Sequence, residues 1–158
     1  MKFQEMFNEK GKKRPYVLGE DGREYFYYKD RTGYVLRDMC NEDIDEWLSV
    51  MKDCRGFTPL QIAIQKAAIS QTIERELDDN NSLSKTMIVL DPKGRLIGNI
   101  DFAENNGKGK MQLFLRDQKL VDTKGARVLE IVIRMNHQEH RYDELYIENT
   151  GKELIRVA

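Results

Sequence analysis

The sequence predicts an α/β sandwich with a mixed, mostly antiparallel sheet flanked by helices. Three observations predict it. Short strand-like runs cluster before residue 40 and again between residues 86 and 115. Two stretches between residues 41 and 77 carry apolar residues at helical spacing. A third helical stretch, about Thr123–His137, lies between strand candidates Met111–Leu115 and Leu145–Ile147. As a crossover it would make those two strands parallel.

The elements follow in chain order. Residues 1–14 are polar and basic, with Phe3, Met6 and Phe7 spaced for a short amphipathic turn. A loose arm or one-turn helix is expected there. Tyr16–Leu18 and Glu24–Tyr28 flank GEDGR, a turn-rich segment, and predict a hairpin. Tyr34–Met39 is a further strand. Asn41 reads as a helix N-cap, and Glu42 and Asp43 suit the positive end of the helix dipole. Ile44, Trp47, Leu48 and Met51 share one face of that helix. Thr58-Pro59 opens a second helix, where Thr caps and Pro suits the first position. Leu60, Ala63, Ile64, Ala67 and Gln71 line one side, and Ile62, Ile69, Ile73 and Leu77 an adjacent one. DDNNSLS at 78–84 ends it. Thr86–Leu90 and Arg95–Phe102 form a hairpin through Asp91-Pro92-Lys93-Gly94, with Pro and Gly at favoured turn places. Asn105–Gly109 is the next turn. In the last helix Val128, Leu129, Val132, Ile133 and Asn136 face inward. Leu154–Val157 is a final short strand.

The 158 residues suit one domain, divided as an arm and hairpin over 1–33 and the main unit over 34–158. The charged fraction is 34% and the net charge −1, which gives no global electrostatic case for nucleic acid or an anionic membrane. No apolar run approaches the roughly 20 residues of a spanning helix. MKFQEMFNEKGKKR lacks a signal-peptide core, so a cytoplasmic location is expected. Cys40 and Cys54 match no metal or redox spacing and read as free thiols. A catalytic cysteine would need His137 or His140 as partner.

LFLRDQKLVDTKGARVLE (Leu113–Glu130) reads as a buried strand, a short loop and a helix start, with Gly125 at the junction. Free N–H groups of a helix's first turn suit an anion such as a pyrophosphate. The same pattern is also an ordinary exit from a sheet. KLVDTKG fails as a nucleotide triphosphate loop, because the Gly spacing and the Lys-Ser/Thr pair are missing.

Three segments resemble the GCN5-related N-acetyltransferase (GNAT) superfamily in register. YVLRDMCNEDIDEW (Tyr34–Trp47) is similar to that family's opening strand and helix. MIVLDPKGRLIGNIDF (Met87–Phe102) is similar to its central hairpin, including a Gly after the second strand's first apolar pair. LFLRDQKLVDTKG (Leu113–Gly125) aligns without gaps to its strand and acetyl-CoA loop. The likeness covers roughly Tyr34–Glu148. It departs at Leu120, where the family has a basic residue or Gln, and at Thr123, where it has its first Gly. Only Gly125 is kept. The chain is also short after Ile147, where the family continues with a helix bearing a tyrosine proposed as general acid, and two strands.

The resemblance implies an acyl-CoA N-acyltransferase-like fold and acetyl-CoA as substrate. It places the coenzyme along Leu113, Leu115, Leu120, Asp122, Thr123, Lys124, Gly125 and Ala126. Asp122 brings negative charge to the pyrophosphate, which Lys119 or Lys124 would offset. Asp101 or Glu104, at the end of the hairpin's second strand, are candidate bases, and Tyr146 a candidate acid. The bland alternatives are solvated strand-end carboxylates and a sheet-packing tyrosine. No metal is expected. His137, His140, Glu139 and Asp143 have the spacing for one, but a polar helix end accounts for them.

Two functions follow. One is an acyl-CoA-dependent N-acetyltransferase acting on a small-molecule or protein amine, its acceptor held by Met51–Phe57 and Asp78–Ser84. The other is a degenerate, non-catalytic member of the same fold serving as an interaction or dimerisation module. In that case Leu154–Val157 covers the sheet edge within the chain or exchanges with a second copy into a homodimer.

Overall fold

The computed structural model describes residues 1–79, 82–116, 118–148 and 154–158, without the side chains of Cys54 and of 118–123. Nine described strands form one sheet in sequence order. They are β1 (Phe3–Phe7), β2 (Lys13–Gly19), β3 (Glu24–Lys29), β4 (Val35–Asp38), β5 (Thr86–Leu90), β6 (Leu96–Asn105), β7 (Lys108–Leu115), β8 (Glu144–Glu148) and β9 (Leu154–Arg156). Helices α1 (Ile44–Arg55) and α2 (Pro59–Asp78) join β4 to β5, and α3 (Gln118–Glu139) joins β7 to β8. Every neighbouring pair is antiparallel except β7 and β8, which the α3 crossover makes parallel.

Residues 3–7 are a strand, not the expected arm or one-turn helix. Phe3 sets their conformation by packing edge-on to Tyr25, with centroids 5.3 Å apart, and under the Arg37 guanidinium at 5.1 Å. A register shift between Glu5 and Phe7 breaks the alternation that would have marked the strand in the sequence.

Alternation along β5 separates the two cores: Met87 and Val89 face α3, while Ile88 faces α1 and α2. On the α3 side Met87, Ile100 and Met111 meet Val128, Ile131, Val132 and Met135. The buried row of α3 is thus 128, 131, 132, 135, and the expected Leu129 and Ile133 lie at its partly exposed margin. Asn136 is buried as expected; its side chain bonds both the N–H and the C=O of Tyr142, at 2.8 and 3.2 Å, tying the helix end to the approach to β8.

The start of α1 is fixed by a buried ion pair. Arg37 on β4 donates twice to Asp43, both bonds 2.8 Å, and the Cys40 N–H donates to the same carboxylate at 2.8 Å. Asn41–Asp43 form a 3₁₀ turn, so the helix proper starts at Ile44 rather than just after Asn41. At α2 the Thr58 hydroxyl accepts from Gln61 N–H and Gln61 returns a bond to Thr58 N–H, a capping box. Of its two apolar sides, Ile69, Ile73 and Leu77 are buried, whereas Leu60 and Ile64 are exposed. Among the described residues no helix is long and apolar enough to cross a membrane.

Candidate active site

The site starts from a mismatch in strand length. β7 and β8 pair from Lys108–Glu144 to Met111–Ile147. β7 then runs on through Gln112–Leu115, paired only with β6. The β8-side edge of those four residues is open among the described residues, so backbone groups there face a cleft rather than a strand. Gly98 on β6 holds the far side of β7 close: a Cβ at that position would lie 2.2 Å from the Phe114 carbonyl oxygen.

Register places polar side chains at this parting. Asn99 pairs with Phe114 and Asp101 with Gln112, all four on the α1/α2 face. Gln112 donates through Nε2 to Glu148, the last residue of β8, across the mouth of the cleft. Asn99 donates to Asp101 at 3.0 Å. Burial pushes the Asp101 carboxyl above its ordinary value, against hydrogen bonds from Asn99 and Thr86 and the attraction of Arg55. Arg55 stacks over Phe57 at 5.3 Å and Phe114 at 5.4 Å. The α1–α2 connection, an expected acceptor segment, is thereby folded onto the end of β7.

The other expected acid-base groups lie further down the sheet. Glu104 pairs with Gly109 near the β6–β7 turn, where its carboxylate accepts from Gly107 N–H at 2.8 Å. Three residues of strand, about 10 Å, separate that row from Gln112. Tyr146 pairs with Lys110, and its hydroxyl donates to Glu144 at 3.1 Å, away from the parting. With Ala103, Lys110 and Leu154 it lines a separate groove of about 410 Å³. The structure therefore brings Asp101 to the cleft and leaves Glu104 and Tyr146 outside it.

The expected coenzyme loop is not a loop. α3 begins at Gln118, five residues before the expected start, and Gly125 is the eighth residue of the helix. Leu120 belongs to the first turn, while Asp122, Thr123, Lys124, Gly125 and Ala126 lie beyond it. Their N–H groups bond within the helix, and the free first-turn donors are those of Gln118–Val121. The sequence departures explain the shift. Thr at 123 puts a Cβ where the resembled loop has its first Gly, Leu at 120 is a good helix former, and nothing between 118 and 123 stops a helix. The side chains of Lys119, Leu120, Asp122 and Thr123 lie outside the described residues. Leu113 and Leu115 sit on β7, Leu115 buried against the α3 core.

Gln112 and Glu148 were not among the expected site residues. The one sequence signal was a glutamine inside an otherwise apolar strand, MQLFL. Cys40 is a buried free thiol, pushed up by burial. The His137 and His140 rings lie 6.4 Å apart beside Asp143 in a different cavity, and no described group of three side chains there or elsewhere could hold a metal.

An α/β sheet whose one parallel pair parts beside a crossover helix is the acyl-CoA N-acyltransferase-like fold of the GNAT acetyltransferases, and the chain has that fold. Solved structures bear this out. A spermidine N-acetyltransferase SpeG chimera from Vibrio cholerae and hSSAT superposes with a TM-score of 0.58 at 13% identity, over 73% of this chain and 69% of that one. Ribosomal-protein-S5-alanine acetyltransferase from Vibrio fischeri gives 0.57 at 14% identity, over 77% and 72%. PaiA N-acetyltransferase from Thermoplasma acidophilum, in complex with coenzyme A, gives 0.53 at 14% identity, over 78% and 96%. No protein-family model and no curated protein sequence matches the chain.

Proposed function

We propose that the protein is an acyl-CoA-dependent N-acetyltransferase whose acceptor is an amine on a small molecule or a protein. The observation that carries this reading is the open edge of Gln112–Leu115 beside a half-buried carboxylate, Asp101. The residues fit the coenzyme there: an unpaired strand edge offers backbone donors and acceptors to an extended amide-bearing chain, and the first turn of α3 follows directly. The likeness to acetyltransferases of spermidine and of ribosomal proteins, and to one that holds coenzyme A, supports it. When bound, the thioester supplies an activated acetyl group.

The chain's own residues do the rest. A backbone N–H of the open edge polarises the acyl carbonyl by hydrogen bonding. Glu148 and Asp101 draw a cationic amine to the parting, and Gln112 holds Glu148 in place. As the amine nitrogen bonds the acyl carbon, the carbon–sulfur bond breaks and the coenzyme leaves as its thiolate, and the proton the nitrogen gives up goes to Asp101. Its raised pKa makes it a better base than a solvated carboxylate. Arg55, stacked on Phe57 and Phe114, closes the end of the cleft toward α1.

Titration of acetyl-CoA and desacetyl-coenzyme A into the chain by calorimetry tests the reading, followed by acetyl transfer to a panel of amines. Micromolar binding is expected. Asp101→Asn should then cut turnover by about 10²-fold or more, the lower bound for a lost general base, with coenzyme affinity unchanged. No binding at millimolar coenzyme overturns the reading.

A further inference from the structure

Beside the start of α3 lies a small basic cavity on the α3 face of the sheet. It measures about 180 Å³ and is lined by Tyr34, Asp91, Arg95, Ile97, Arg116 and Lys124. Arg116 follows β7 directly, and its N–H donates to the Ile97 carbonyl at 2.8 Å, which anchors the backbone. Its side chain is not satisfied in the same way. Among the described residues the Nε–H of Arg116 is buried without a hydrogen-bond partner. Among the described residues neither the Arg116 guanidinium nor the Lys124 ammonium has an ion pair.

Arg95 is held differently. Asp91 accepts from its Nε at 2.8 Å and its N–H at 2.9 Å. Burial pushes Asp91 up, but these bonds and one from Lys93 N–H bring it below the ordinary range, so it is ionised. Asp91 therefore orients Arg95 and leaves its terminal nitrogens free to donate. Among the described lining residues three cations stand against one carboxylate, a net charge of about +2. A buried guanidinium donor without an acceptor is costly and calls for one. The chemistry that satisfies all three cations is a phosphoryl oxygen cluster, because guanidinium forks match it in shape and charge. The volume suits a phosphoryl or diphosphoryl group and not a nucleoside.

We propose that Arg95, Arg116 and Lys124 form a phosphoryl-binding pocket, and, resting on the transferase reading above, that it engages the phosphates of the coenzyme. In this chain side-chain cations beside the first turn of α3 then supply the anion recognition that a loop before Gly125 would have given, since Gly125 lies inside the helix.

The test is calorimetry on the full chain with three probes: coenzyme A, pantetheine and inorganic pyrophosphate. The variants are Arg116→Gln and Lys124→Gln, with Lys66→Gln on exposed α2 as the equal charge change elsewhere. Thermal melts check that each variant is folded. Arg116→Gln should weaken coenzyme A about tenfold or more, the usual worth of a charge-assisted bond, and leave pantetheine within twofold. Lys66→Gln should leave every probe within twofold. Pyrophosphate should bind and lose affinity on Arg116→Gln. Coenzyme A affinity unchanged in both cavity variants overturns the proposal, as does an equal loss for pantetheine. Pyrophosphate binding that depends on Arg116, with no coenzyme A binding, sustains the pocket while the transferase reading falls. No binding of either phosphate probe overturns both.

Discussion

Glu76, on the last turns of α2, is the group whose removal should make the protein more stable, by an amount that grows as the pH rises from about 4.5 to about 7. Its carboxylate accepts from Thr86 N–H at 3.3 Å and from the Thr86 hydroxyl at 3.4 Å, joining α2 to the start of β5. Burial pushes its pKa from 4.5 up to about 7; the bonds from Thr86 oppose this, and Asp38 and Asp101 add to it. Below pH 4.5 the group is protonated in both the folded and the unfolded chain, and the fold carries no penalty. Between 4.5 and about 7 the unfolded chain ionises first, so stability falls as pH rises through the folded-state pKa. At about 1.4 kcal/mol per pH unit the ceiling is roughly 3 kcal/mol. Partial solvent screening of this half-buried side chain reduces it to about 1–2 kcal/mol. Glu76→Gln keeps an acceptor for Thr86 and cannot ionise. For a chain of this length each kcal/mol moves the melting temperature by about 2–4 °C. Thermal unfolding of both proteins at pH 4.5 and pH 8.5 should show melting points within about 2 °C at the lower pH, and the variant about 3–6 °C higher at the upper. An equal difference at both values would refute the reasoning, because a pH-independent effect is packing and not ionisation.

Three further substitutions probe the frame of the site. Gly98→Ala places a methyl 2.2 Å from the Phe114 carbonyl oxygen, which is backbone and cannot swing aside. It should cost about 1–3 kcal/mol by urea denaturation, and a midpoint unchanged from wild type would mean that β6 and β7 are not this close. Arg37→Met leaves the Asp43 carboxylate buried without its cation and should cost about 3–5 kcal/mol, while Arg37→Met with Asp43→Leu should recover most of that loss; no recovery would show that the pair itself is not the source. Gly125→Ala should stabilise by about 0.5–1 kcal/mol if residue 125 is helical as found, whereas a residue in an open loop with positive φ would be destabilised by the same change.

What was legible in the sequence is what short-range chemistry decides. The Asp91–Gly94 turn declared the β5–β6 hairpin, and Thr58-Pro59 with Gln61 declared the start of α2, because each depends on residues within four positions. The parallel pairing of β7 and β8 followed from an amphipathic crossover between two apolar runs. β1 escaped because its register shift breaks the period of two, and because the partners that hold Phe3 are Tyr25 and Arg37, far along the chain. The cleft escaped in part for the same reason. Asp101 could be named from its place at a strand end, but Gln112 and Glu148 become a pair only once two strands separated by a whole helix are set parallel.

The start of α3 shows how one residue pattern can be read two ways until backbone preference decides. Gly125 in register with a ligand loop suggests a turn, but a single glycine does not by itself end a strand and open a helix. A helix tolerates one glycine at about 1 kcal/mol, whereas a phosphate-cradling loop needs several positions free of Cβ. With Leu at 120 and Thr at 123, the helical cost is the smaller one, and the chain turns into α3 within two residues of Arg116. The same step leaves Arg116 at the foot of the helix, with a buried donor facing a basic cavity. Leu120 and Thr123 thus do not by themselves argue against a phosphate-bearing ligand. They move the burden from backbone N–H groups to guanidinium and ammonium groups, whose contribution is long-ranged and weakens with salt. Coenzyme affinity, if it is carried this way, should therefore fall between low and high ionic strength in wild type and fall less in Arg116→Gln. Equal salt slopes in the two proteins would return the ligand's phosphates to the backbone.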